Sequence, residues 1–241
     1  MTFSLVVPVL DAQDLLSRLL GRVGSLADVA NGMGWSLVEV VVVDDGSCPA
    51  MLLPDGVALP CVVRAIRNGR NMGKGYSVRR GALEAKGDFV LMSDVDESAP
   101  LEEFAKLASA WKPGVAMVCG SRVKDDDRPF LRRVLSRIFR LIVRSSVHDT
   151  QCGFKLFDMS KMRQVFESQK IDGFAFDVEL IRKAEALGDG TVVEVPVAWH
   201  GGSRSSLRVM RDAPKMLFDL ARIPASRRAR RRRGDLQTTS T

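Results

Sequence analysis

Histidine and cysteine are scarce in this chain of 241 residues, and neither forms a pattern. The four cysteines, Cys48, Cys61, Cys119 and Cys152, stand 13, 58 and 33 residues apart. None has the CxxC spacing of a zinc or redox site, and His148 and His200 are too far apart to complete one. Reduced, mostly buried thiols are expected, as in a cytosolic protein. Apolar runs are equally limited, and none approaches the ~20 residues that cross a bilayer. Met1–Leu10 has no basic stretch and leads into a strand-like segment, so no signal peptide is expected. No strand leads into a GxGxxG spacing, and Gly75 follows Lys74 where a Walker loop needs Ser or Thr. A dinucleotide site, a P-loop and a zinc module are thereby excluded.

What is present is a globular composition, with 46% hydrophobic and 27% charged residues. The net charge of +7 is unevenly spread. Ser226–Thr241 holds six arginines (Arg227, Arg228 and Arg230 to Arg233) against Asp235, so this segment carries +5 and the rest +2. Residues 1–224 read as one domain, and residues 225–241 as an Arg-rich tail expected to be disordered.

Apolar runs at Phe3–Val9, Val38–Asp44, Cys61–Arg67, Phe89–Ser93 and Val115–Cys119 read as strands. Between them lie helical patterns at Ala12–Ala30, Tyr76–Lys86 and Leu101–Trp111, and later at Phe130–Val143, Glu179–Leu187 and Leu207–Ala221. Thr191–Trp199 reads as a further strand. This alternation predicts an α/β fold with a mostly parallel sheet, whose ligands bind at the carboxyl ends of the strands.

Two of those ends are acidic. Asp94-Val95-Asp96 supplies hard oxygen ligands suited to Mg²⁺ or Mn²⁺, which leave positions open for phosphate oxygens. Asp44-Asp45-Gly46-Ser47 is either a strand-ending turn or a reader of a base N–H or a ribose hydroxyl. Asn71-Met72-Gly73-Lys74-Gly75 opens a helix, where backbone N–H groups favour anions.

Taken in order, Val43 to Ser47, Asn71 to Gly75, Gly87-Asp88-Phe89, Asp94 to Asp96 and Gly120-Ser121-Arg122 resemble the family-2 glycosyltransferases of the GT-A fold. His148-Asp149-Thr150-Gln151-Cys152-Gly153-Phe154-Lys155 is more specific and resembles a segment of dolichyl-phosphate β-glucosyltransferases and their bacterial polyprenyl-phosphate relatives. Phe176 to Leu180 and Trp199 to Ser205 continue the likeness. The resemblance implies a single GT-A domain that moves a hexosyl or N-acetylhexosaminyl group, with inversion, from a nucleotide sugar to a polyprenyl phosphate. A UDP-linked donor is favoured.

The same resemblance assigns residues. Pro8 and Leu10 lie at the end of the first strand, and Asp44 and Asp45 on the nucleoside side. Lys74 and Arg122 stand near the donor, and Asp94 and Asp96, flanking Val95, hold the metal and diphosphate. Gln151 and Lys155 line the sugar side, and Arg204 clamps phosphate. Asp96, Asp177 and Arg204 form the expected catalytic group, with Asp177 near the meeting point of donor and acceptor. Two positions depart from the family: Ala12 replaces a glutamate, and Glu97-Ser98 replaces the Leu-Gln that follows the acidic pair in mannosyl-phosphate synthases.

An acceptor phosphate is already anionic near neutral pH and needs orientation more than a general base. A saccharide hydroxyl would need Asp177 as base. That alternative stays open, as does a GDP-mannose donor. The amphipathic Phe130–Arg144 stretch, the Leu207–Ala221 helix and Arg227–Arg233 suit an anionic membrane surface. The expected location is cytoplasmic, on the inner face of the membrane, with an integral membrane partner. Nucleic-acid binding is the remote alternative, because the body has no basic stripe with interleaved aromatics.

Overall fold

The computed structural model describes residues 1–53, 59–122 and 147–200. Its sheet is built around β2 (Ser36–Asp44), whose Val40, Val41, Val42 and Val43 are fully buried, as an unbroken apolar run requires when both faces are covered. β1 (Thr2–Val9) and β3 (Val62–Arg67) flank it in parallel, and β4 (Phe89–Ser93) joins the other side of β1, also parallel. The sheet continues with β5 (Met117–Arg122), β6 (Phe154–Asp158) and β7 (Val192–Val197). Seven strands run in the order β3-β2-β1-β4-β6-β5-β7, and β6 alone is antiparallel to its neighbours.

Helices cover both faces. α1 (Gln13–Leu20), α2 (Val23–Gly32) and α4 (Phe104–Ala110) pack on one side, where Phe3 stacks on Phe104 at 4.4 Å and Trp35 meets Phe89 at 4.7 Å. α3 (Lys74–Glu84), α5 (Met159–Glu167) and α6 (Phe176–Leu187) pack on the other, around Val78, Met92, Phe157, Phe166 and Phe176. Each fully buried Phe or Leu adds roughly 1.5–3 kcal/mol. The two faces follow strand alternation: Phe154 and Leu156 look toward α1 and α4, while Phe157 looks toward α5 and α6.

The expected α/β class and mostly parallel sheet are borne out, with local differences. The helix expected over Ala12–Ala30 is two, because at Arg22 the bonding tightens to a three-residue turn onto Leu19 O (2.9 Å). α3 starts at Lys74 rather than Tyr76. β5 starts at Met117 and runs on to Arg122. The sequence pattern predicts neither β6 nor α5, since Lys155 as the second of five residues interrupts the apolar signature of the strand. Asp158 caps α5 by accepting from Ser160 N at 3.0 Å. The expected helices Phe130–Val143 and Leu207–Ala221, the Arg227–Arg233 run and Arg204 lie outside the described residues. Among the described residues no helix is long and apolar enough to cross a membrane.

After β1 the chain builds outward to β2 and β3, whereas β4 takes the opposite side of β1. Carboxyl-end loops diverge at such a switch point and leave a crevice. Leu10, Asp44 and Asp94 all stand at this end of the sheet.

Candidate active site

On one side of the crevice the acids brace loops. Asp44 is buried, and its Oδ1 accepts from Ser47 N at 2.8 Å while Oδ2 accepts from Met51 N at 3.2 Å and Arg67 Nη1 at 2.8 Å. Burial pushes its carboxyl up, but these donors and the Arg67 charge hold it below the usual carboxylate range. Leu10 is exposed next to Asp11, which has φ +50°. Asp11 N donates to Ser47 Oγ (2.9 Å), and Gln13 exchanges two hydrogen bonds with the Leu52 backbone (2.7 and 2.9 Å). Pro8 sits opposite Val43 in the parallel ladder.

Asp45 settles what the Gly-Lys loop does. Its carboxylate accepts from Met72 N and Gly73 N, both at 2.9 Å, and from Asn68 Nδ2 at 2.7 Å. The anion at the start of α3 is therefore the protein's own carboxylate. Gly73 has φ +105°, and a Cβ there would meet Asp172 O at 2.3 Å, so only glycine fits this turn.

On the other side the acids face lysines. Lys74 Nζ lies 2.6 Å from Asp94 Oδ1. A Cβ on Gly153 would come within 1.9 Å of Asp94 Oδ2, so the carboxylate rests directly on the glycine backbone. That closeness comes from β6, which pairs Ser93 with Phe154 and so brings Gly153 up beside the end of β4. Asp96 is half-buried, and its Oδ1 accepts from Ser98 N at 3.1 Å. Beside Asp96 and Val95 a cleft of about 270 Å³ opens toward Arg18, Arg22 and His200.

Beneath lies a second pair. Lys155 Nζ is 2.6 Å from Asp177 Oδ1, with side chains 0% and 4% exposed, and it also donates to Cys152 O. Burial raises the Asp177 carboxyl against the pull of Lys155 and Lys74. Burial works to lower both lysines, but Asp177 carries Lys155 above its ordinary value, and Asp94 and Asp177 do the same for Lys74. The same burial pushes the Cys152 thiol up to about 11.

A third cluster fixes Arg122. Its guanidinium makes a two-pronged contact with Asp149 (2.6 and 2.6 Å) and stacks over Trp199 at 5.1 Å. Glu194 receives the backbone N–H groups of His148 and Asp149 at 2.9 and 2.8 Å. Burial opposes charge on Asp149, but Arg122 holds its carboxyl below the usual range.

Residues 4–184 match the sequence pattern of Glycosyl transferase family 2. The chain belongs to glycosyltransferase family 2. A dolichyl-phosphate β-glucosyltransferase of Dictyostelium discoideum is 32% identical over 203 residues, covering 77% of this chain and 62% of that protein. A dolichyl-phosphate β-glucosyltransferase of Trichomonas vaginalis is 33% identical over 201 residues, covering 77% and 59%. The chain thus spans about three fifths of the length of these relatives. The solved structure of glucosyl-3-phosphoglycerate synthase from Mycobacterium tuberculosis, in complex with Mn²⁺ and UDP-glucose, superposes with a TM-score of 0.65 at 17% identity. It covers 93% of this chain and 80% of that one, and this likeness shows the GT-A fold.

In this family-2 chain the structure brings Lys74, Asp94, Lys155 and Asp177 into one charged cluster at the β4–β6 end. Arg122 stands near it, acting on Asp94 through space. Asp44 and Asp45 lie across the crevice with their oxygens engaged by the protein itself. Gln151 keeps a buried Nε2 without a hydrogen-bond partner among the described residues. Gly153, Asp149, Glu194 and Arg67 brace these clusters and carry no individual assignment from the sequence. Gly153 and Asp149 stand within the His148–Lys155 motif, but nothing local in sequence marks Glu194 or Arg67.

Proposed function

We propose that this family-2 chain transfers a hexosyl group, with inversion, from a UDP-sugar to a polyprenyl phosphate at a membrane surface. Glucose is the first sugar to test, since the relatives described above are glucosyltransferases. The observation that carries the reading is the state of Asp177. It is buried and held by Lys155 at 2.6 Å, which leaves no general base there for a neutral hydroxyl. An acceptor that arrives as a phosphate anion needs no such base. Asp177 then works by keeping Lys155 charged beneath the site.

Asp94 and Asp96 fit a divalent cation. Both are partly exposed carboxylates, and Asp94 already has a cation, the Lys74 ammonium, as its counter-charge. Two carboxylates would leave the other positions of Mg²⁺ or Mn²⁺ to water and phosphate oxygens. When bound, the metal neutralises charge on the leaving diphosphate. Lys74 and Arg122 add cationic groups on the donor side, and Arg204 is assigned the remaining phosphate contact. Asp44 and Asp45 shape the loops that receive the nucleoside.

The Phe130–Arg144 stretch, the 207–221 segment and Arg227–Arg233 complete the proposal as contacts with anionic lipid on the cytoplasmic face, beside an integral membrane partner. Nucleic acid has no part in it. The test supplies purified protein with Mg²⁺ or Mn²⁺, polyprenyl phosphate in detergent, and a panel of UDP- and GDP-sugars. Lipid-linked sugar from a UDP-hexose is expected. No transfer from any donor, or transfer only to a saccharide hydroxyl, overturns the reading.

A further inference from the structure

The root of Lys74 is pinned on both sides. Gly73 N–H is held by Asp45 at 2.9 Å, Gly75 O accepts from Gln169 Nε2 at 2.9 Å, and Tyr76 N donates to Asp172 O at 3.2 Å. A Cβ on Gly75 would meet Ile171 O at 2.7 Å, so this stretch of backbone is wedged against the segment before α6. Among the described residues the Lys74 ammonium makes its ion pair with Asp94 Oδ1, at 2.6 Å. Asp94 Oδ2 is backed by the Gly153 backbone. A cation arriving at Asp94 therefore meets an oxygen that Lys74 already occupies. A long, flexible ammonium stem on a fixed root can change partners without moving the fold.

We propose that Lys74 is an exchangeable counter-ion: it neutralises Asp94 in the empty site and leaves it for the donor's diphosphate, so that metal and donor load together. The inference rests on the metal assignment made above for Asp94 and Asp96. A diphosphate offers Lys74 a stronger anion than one carboxylate, and its departure uncovers Oδ1 for the metal. By linkage, anything that removes Lys74 from Asp94 must tighten metal binding in the absence of donor.

The test measures Mn²⁺ affinity from the free-ion electron paramagnetic resonance signal, without UDP and with saturating UDP. Lys74→Met is expected to tighten Mn²⁺ binding without UDP by about tenfold, the size of one half-buried charge contact. The factor by which UDP further tightens Mn²⁺ binding should shrink relative to wild type. Arg122→Met is the control for long-range charge, because Arg122 acts on Asp94 only through space, and its effect should stay below about threefold. Lys74→Gln repeats the test should the methionine variant misfold. Equal affinities in the Lys74 and Arg122 variants, or an unchanged UDP factor, overturn the inference alone. Mn²⁺ binding that survives Asp94→Asn overturns the metal assignment and this inference with it.

Discussion

The acids after β2 and the acids after β4 start from the same sequence signal, a carboxylate pair at the end of a buried strand, and finish in different company. Asp44 and Asp45 accept mainly from backbone N–H groups, of Ser47, Met51, Met72 and Gly73. Those donors cannot leave without unfolding a loop. Asp94 accepts from the tip of a lysine, and Asp96 keeps one oxygen uncommitted to any hydrogen bond among the described residues. A side-chain cation can be exchanged for another cation. Under the proposed function, the identity of the donor separates acids that build the site from acids that work in it.

The contrast breaks most visibly at Asp94. Asp94→Ala is expected to lower sugar transfer by about a thousandfold or more, as loss of transition-state charge neutralisation does, with the melting temperature nearly unchanged. Retained turnover would place Asp94 with the building acids. Lys155→Met should behave oppositely, because it strands Asp177 without its partner in the interior. Denaturant unfolding should show a loss of about 3–5 kcal/mol, much of it recovered in the double variant Lys155→Met, Asp177→Leu.

Gly153→Ala sharpens the comparison from the backbone side. The added methyl would meet side-chain atoms of Asp94 and no backbone among its nearest neighbours, so the side chain moves and the fold stays. Transfer should fall by about a hundredfold, the cost of a misplacement near 1 Å, with little change in thermal stability. Asp45→Ala is expected to cost about 1–3 kcal/mol in unfolding experiments by orphaning the donors around α3. Its activity per folded molecule should fall far less than that of Asp94→Ala.

The smallest effect is a pH dependence. Asp44, Asp149 and Glu194 all titrate below the ordinary carboxylate range in the folded state. Their contribution is thus fully present above the unfolded value, near pH 4, and is lost as pH falls through the lower folded values. Thermal melts should decline as pH falls below about pH 4, where these carboxyls protonate.

How far these features were readable beforehand follows from what carries each signal. The valine run of β2 and the acids at the ends of β2 and β4 are local, and the sequence alone places them. Lys155 was identified as a functional residue by its motif, yet its strand was not, because a buried lysine contradicts the apolar pattern of a strand. Its charge is tolerated only because Asp177, 22 residues further on, meets it in the folded chain. Glu194 is fainter still, one acid in an edge strand whose bonds to His148 N and Asp149 N span more than 40 residues. Partnerships of that reach are made by topology, and no window of sequence contains them.

β6 has one more consequence. β5 pairs with β6 and β7, and β4 with β1 and β6, so the sheet is two ribbons joined along a single five-residue seam. The seam is the last part of the ladder that β4 receives, and it arrives only after the chain has passed Asp158. Until then β1 to β4 can assemble as a parallel ribbon, but Asp94 has no floor, and Asp177 still lies further along the chain than Lys155, which it must meet. A nascent chain stopped short of that point carries Asp44, Asp45, Asp94 and Asp96 with their near neighbours in sequence, but neither the glycine that backs Asp94 nor the buried pair of Lys155 and Asp177.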